Sequence, residues 1–127
     1  MTDTPKDPTG VEMYEKVLGQ PEPADRPLTG IREPSINHLF AKVWTREGLS
    51  IRDRRLITIA LLAAQGRHDQ LKSHLRGART GEDQLSEEEI LELMIHTAHY
   101  AGWAAGASGQ SAALAVFTEV RDADIDS

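Results

Sequence analysis

Apolar positions recur along this chain at spacings of three and four, and no stretch alternates at a spacing of two. The pattern predicts helices only. Val11 to Leu18 reads as a short helix stopped by Gly19, a residue suited to the left-handed position after a helix. Pro21, Pro23, Pro27 and Pro34 then forbid a regular helix, so 20–34 is expected to be an extended strap. Ser35 is positioned to cap a helix through about Arg46, with Ile36, Leu39, Phe40 and Val43 on one face. Ser50 caps the next, with Asp53 at its third position. The run Leu56 to Ala64 is apolar or small except for Thr58, and it predicts a helix buried on nearly all sides and closed by Gly66.

A further helix is expected from His68 to Arg79, with Leu71, His74, Leu75 and Ala78 on one stripe and a turn over 81–84. Ser86 and Glu89 form the Ser-x-x-Glu capping signal of a helix reaching Gly102, and three glutamates in its first turn suit the helix dipole. Its apolar residues are Ile90, Leu91, Met94, Ile95, Ala98 and Ala101. Ala104 to Gly109 is small throughout, which means a turn or a tight helix contact. A last helix is expected over Ser111 to Val120. The expected fold is all-α: a single-domain bundle of five or six helices over 1–127, with 1–10 and 122–127 as flexible ends.

Composition narrows the chemistry. The 127 residues contain no cysteine, which removes disulfides, thiolate catalysis and cysteine-ligated metal. Met1 to Gly10 has no apolar stretch of the signal-peptide kind, and no run approaches the ~20 apolar residues of a membrane span, so a cytoplasmic protein without a membrane partner is expected. The net charge of −6 disfavours nucleic acid as a partner. Its distribution is uneven. The segment 52–79 holds seven basic residues and two acidic ones, a basic middle that suits a small anionic ligand or else a solvated face of ordinary ion pairs.

Among the five histidines, His96 and His99 stand three apart on one helix face, yet no acidic residue follows at the next turn to complete a metal site. No metal is expected. The remaining signal lies in four separated segments: Val-Trp-Thr-Arg-Glu-Gly-Leu (43–49), Arg-Asp-Arg-Arg-Leu-Ile-Thr-Ile-Ala (52–60), Gly-Arg-His-Asp-Gln-Leu-Lys-Ser-His-Leu-Arg-Gly-Ala (66–78) and His-Thr-Ala-His-Tyr-Ala-Gly-Trp (96–103). In this order they resemble the carboxymuconolactone decarboxylase family over roughly residues 11–120, and Val17-Leu18-Gly19 with Asp25-Arg26 resembles its leader.

The resemblance implies an alkylhydroperoxidase D-like helical fold, assembled as a homo-oligomer, a trimer or hexamer. It implies cofactor-free decarboxylation of 4-carboxymuconolactone, a small anionic lactone, to the 3-oxoadipate enol-lactone in aromatic catabolism. The thiol peroxidase branch of that superfamily carries Cys-x-x-Cys-x-x-x-His. Counted back from His74, its cysteine positions are Arg67 and Gln70 here, which excludes that chemistry. By resemblance, His74 is the general acid or the donor that holds the forming enolate, and Arg54 is the carboxylate anchor. His38, Gln70, Arg76 and Tyr100 are the expected substrate contacts. Such a lactone needs no cofactor as electron sink, because its own carbonyl takes the electrons; the protein must hold carboxylates, stabilise an oxyanion and deliver a proton. Arginine suits the first task and histidine the last.

The sequence also departs from the family. An acidic residue is usual where Gln70 stands, the proline after Tyr-x-Gly is replaced by Trp103-Ala104, the 81–85 turn is longer, and Glu15-Lys16 replaces an arginine pair. A different small oxo or lactone substrate, or a non-catalytic oligomeric binding protein of the same fold, are the alternatives these departures leave open. An oligomer is expected on physical grounds too: an apolar helix at 56–64 and a small-residue patch at 101–107 exceed what one thin helical layer covers.

Overall fold

The computed structural model describes residues 4–126, and among them every regular element is helical. Helix α1 spans Pro8–Leu18. It begins three residues before the expected Val11, because Asp7 caps it by accepting the Thr9 N–H at 2.9 Å and Pro8 fits the first helical position. The expected flexible lead-in is tethered over 5–7: Asn37 bridges the Pro5 carbonyl and the Asp7 N–H, and the Lys6 ammonium sits 2.9 Å from Glu22.

The strap carries no regular element until the short helix α2, Arg32–Pro34, which runs directly into a π-helix, Ser35–Val43. Ser35 is thus not a cap; its hydroxyl donates to the Ile31 carbonyl within continuous helix. The strap is pinned by Glu22, whose side chain is buried between Lys6 and Arg32. The wider π turn divides the expected apolar stripe. Ile36 and Phe40 enter the core, while Leu39 is 41% exposed.

The other four helices are α3 (Ile51–Gln65), α4 (His68–Thr80), α5 (Glu87–Ala101) and α6 (Trp103–Asp126). Ser50 caps α3, Gly66 closes it at φ 68°, and the reciprocal Ser86–Glu89 capping box opens α5, all as their residue types require. One expectation is corrected, and one of two open readings is selected. Helix α3 buries one stripe, Arg55, Ile59 and Ala63, and leaves Ile57 and Leu61 about half exposed; it is not enclosed on nearly all sides. The small-residue stretch is a helix contact, not a turn, so the last helix starts at Trp103 and continues through the acidic 122–126. A Cβ on Gly106 would stand 2.5 Å from the Ala98 Cβ, so α6 lies against α5 where side chains are smallest.

Two cores result. Ile59, Leu71, Leu75, Ile90, Met94, Val116 and Phe117 fill the body made by α3–α6. Met13, Val17, Leu28, Ile36, Phe40 and Trp44 fill a second core under α1, the strap and the π-helix. They join at Gly77, where a Cβ would meet the Val17 carbonyl oxygen at 1.8 Å. No helix among the described residues is long and apolar enough to cross a membrane.

Candidate active site

The capped start of α3 sets the direction of two consecutive arginines. Arg55 falls on the buried stripe with Ile59 and Ala63. It is 1% exposed and donates to three main-chain carbonyls, those of Val17 (2.6 Å), Lys16 (3.0 Å) and Glu82 (2.5 Å). Arg54, one residue earlier, turns toward the π-helix. Its Nη2 donates to the Arg46 carbonyl at 3.0 Å, and its Nε is buried with no partner.

Arg54 borders a cavity of about 220 Å³ between α3 and the π-helix. Leu39, Val43 and Trp44 form one wall, Leu49 the rim, and Ile57 and Thr58 the other side. The π-helix makes the first wall possible. The Trp44 N–H reaches back five residues to the Leu39 carbonyl, so 39, 43 and 44 meet within one wide turn. The site is a single guanidinium set in apolar walls, where charge–charge attraction is less screened than at the surface.

Behind Trp44 lies His74, on α4. The two rings stack with centroids 6.1 Å apart and planes 14° from parallel. His74 does not border the cavity itself; Trp44, on which it stacks, does. Its Nδ1 is buried without a hydrogen-bond partner, a costly state that a ligand or a moved side chain would relieve. Burial first, then the charge of Arg55, pull its pKa down to about 4, so the ring is neutral at pH 7. Such a ring can donate a hydrogen bond but holds no stored proton. Two other buried arginine nitrogens, Arg52 Nη1 and Arg79 Nε, also lack partners, but their guanidinium groups are already paired with Glu89 and with the Leu85 carbonyl.

The other expected contacts lie elsewhere. His38 and Gln70 are exposed, on the π-helix and on the first turn of α4. Arg76 faces α6, where Glu119 receives its Nε at 2.5 Å and its Nη2 at 3.2 Å. Tyr100 is 84% exposed and stacks on His96. None of these four borders the Arg54 cavity within one chain. His96 and His99 gain no third metal-ligating group among the described residues. The sequence reading missed that Arg55 is structural, although Arg55, Ile59 and Ala63 repeat every four residues and mark it as inward-facing. It also missed Leu39, Leu49 and Thr58 as lining.

A larger depression, about 630 Å³, opens between the ends of α1 and α4. Glu12, Glu15 and Glu82 wall it, so it repels the anions that the Arg54 cavity attracts.

Comparison with known proteins points the same way. Residues 35–119 match the model of the carboxymuconolactone decarboxylase family. A 4-carboxymuconolactone decarboxylase of Acinetobacter baylyi is 31% identical over 94% of this chain and 92% of its own. A nitrosuccinic acid decarboxylase of Metarhizium robertsii is 34% identical over 76% of this chain and 64% of its own.

Proposed function

The chain belongs to the carboxymuconolactone decarboxylase family, and from that premise we propose that it is a cofactor-free decarboxylase of a small lactone or oxo acid, with 4-carboxymuconolactone the foremost substrate. The observation that carries this reading is the Arg54 cavity: one cation, with an unpartnered buried donor, among apolar walls.

Arg54 holds the carboxylate that the product keeps. The departing carboxylate lies against Leu39, Val43 and Ile57. There it loses hydration, and spreading its charge into the ring relieves the cost. The bond from ring carbon to carboxylate breaks, carbon dioxide leaves, and the electron pair moves through the conjugated system onto the lactone oxygen. His74, reached when the Trp44 indole swings aside, donates to that oxygen. As negative charge gathers beside it, its pKa rises from about 4, and the ring becomes the relay that delivers a solvent proton to carbon.

The nitrosuccinic acid relative favours a second reading within the same chemistry, a different small dicarboxylic acid. An assay on both compounds, following ultraviolet absorbance and released carbon dioxide, separates them. Turnover of neither refutes the decarboxylase assignment for these substrates and favours the non-catalytic alternative. We also assign a homo-oligomer, trimer or hexamer, because Ile57, Leu61, Ile95, Tyr100 and Trp103 leave much apolar and aromatic surface uncovered on one chain. Light scattering giving a ~14 kDa particle at micromolar concentration would count against assembly.

A further inference from the structure

The basic middle of the chain can be followed cation by cation. Arg52 pairs with Glu89, Arg54 borders the cavity above, and Arg55 caps main-chain carbonyls. Arg76 pairs with Glu119, and Arg79 donates to the Leu85 carbonyl. Two cations remain, Arg67 and Lys72. Among the described residues, neither side chain makes a hydrogen bond or ion pair. Both stand at the start of α4, beside His68.

Lys72 and His68, one turn apart, line a cleft of about 310 Å³ between α4 and α6. Ser108 and Ser111 face them from α6, three residues apart and so on one side of that helix, with Ala112 as the floor. The lining is rich in donors: an ammonium with three N–H groups, an imidazole and two hydroxyls. No carboxylate lines it. Asp69, in the same turn, is outside the lining, and Glu119, which feels the charge of Lys72, is already held by Arg76. The Ser111 hydroxyl has only a long bond to its own helix, 3.2 Å to the Ala107 carbonyl, and can turn outward.

We infer that the α4–α6 cleft is a binding site for a small oxyanion of the phosphate class. It shares no residue with the Arg54 cavity, so the inference does not depend on the decarboxylase reading. The ammonium neutralises the charge, and the imidazole and hydroxyls receive three or four oxygens, which suits a tetrahedral anion better than a planar carboxylate.

The test is titration of the isotope-labelled full-length protein with inorganic phosphate at constant ionic strength, read by amide NMR. Saturable shifts at His68, Lys72, Ser108 and Ser111, with a midpoint of the order of 1–10 mM, are expected for a few charge-assisted hydrogen bonds in an open cleft. Lys72→Ala should weaken binding at least tenfold and Ser111→Ala about threefold, while Arg54→Ala leaves the same shifts in place. Circular dichroism should show all three variants folded, since none of these side chains belongs to either apolar core. Absence of saturation by about 50 mM, or unchanged binding in Lys72→Ala, would overturn the inference. Succinate shifting the same amides with equal affinity would overturn the phosphate class, and loss of the shifts in Arg54→Ala would overturn the site's independence.

Discussion

The core under α3–α6 is closed by helix packing of side chains at ordinary spacing, whereas the core under α1, the strap and the π-helix leans on buried charge. The first contains Leu, Ile, Met and Phe from four regular helices. The second is smaller, includes two aromatic rings, and is fastened by Glu22 between two cations and by the Arg55 guanidinium reaching across from α3. Where the two meet, polar groups are left without partners: Arg54 Nε and His74 Nδ1. The difference teaches that the candidate site lies at the seam, where neither unit alone completes the hydrogen bonding.

The sharpest way to probe the seam is His74→Gln. It keeps a polar side chain on α4 but cannot relay a proton. On any substrate that wild type turns over, kcat should fall ~10²–10⁴-fold with KM little changed. Equal kcat in the variant and wild type would remove His74 from the reaction. The same residue gives a pH signature. Its folded pKa, about 4, lies below the ordinary 6.5, so its contribution to stability is full above pH 6.5 and is lost as pH falls through 4. The His74 ring proton resonance should titrate near pH 4 in the folded protein.

Arg55→Ala tests whether the two units depend on one another. It strips the donors from three main-chain carbonyls and should cost ~3–4 kcal/mol, measured by urea unfolding. A loss below about 1 kcal/mol would mean that water takes over those carbonyls and that the seam is wet.

Glu22→Gln should act on the N-terminal unit, costing about 1–3 kcal/mol. Burial opposes the Glu22 charge, but the hydrogen bonds and charges of Lys6 and Arg32 outweigh it and hold its carboxyl below the ordinary range. Its stabilising share is therefore present above the unfolded carboxyl pKa and lost as pH falls through the lower folded value. The gap in urea midpoint between wild type and variant should narrow on going to acid; a constant gap would show that the pair contributes no charge-dependent stability. The smallest effect belongs to Arg76→Ala, within the C-terminal body. Its pair with Glu119 is on the surface, and the loss should be about 0.5 kcal/mol, shrinking further in high salt.

Much of the frame was legible in the residues. Ser50, Ser86 with Glu89, Gly19 and Gly66 mark helix ends by local chemistry, and the structure uses them so. What was not legible depends on distant neighbours. Nothing local distinguishes a π turn from an α turn over 35–43. The alanine and glycine run after Trp103 reads as loop or helix until Met94 and Ala98 are placed against it. For the candidate site, motif resemblance pointed to Arg54 and His74, and the structure connects both to Trp44: Arg54 lines a cavity with it and His74 stacks on it. The resemblance gave no role to the neighbouring Arg55, and adjacent positions on a helix differ by only a third of a turn while their surroundings differ completely. His38, Gln70, Arg76 and Tyr100 are polar or aromatic in the right neighbourhood of sequence, but the faces they occupy lead away from the cavity.

Arg55 carries a further consequence, for the way such a chain can change over generations. Its guanidinium belongs to one unit and its acceptors to the end of α1 and to the turn before α5. Cutting between residues 46 and 50 would leave one fragment with a buried cation held by the Glu82 carbonyl alone and the other with the Lys16 and Val17 carbonyls bare. The N-terminal unit therefore cannot be exchanged for a foreign one, shortened or transplanted without rebuilding that contact. Loops such as 81–85 can accept insertions only where the Glu82 carbonyl keeps its place, so one side chain limits which recombinations of this chain yield a folded protein.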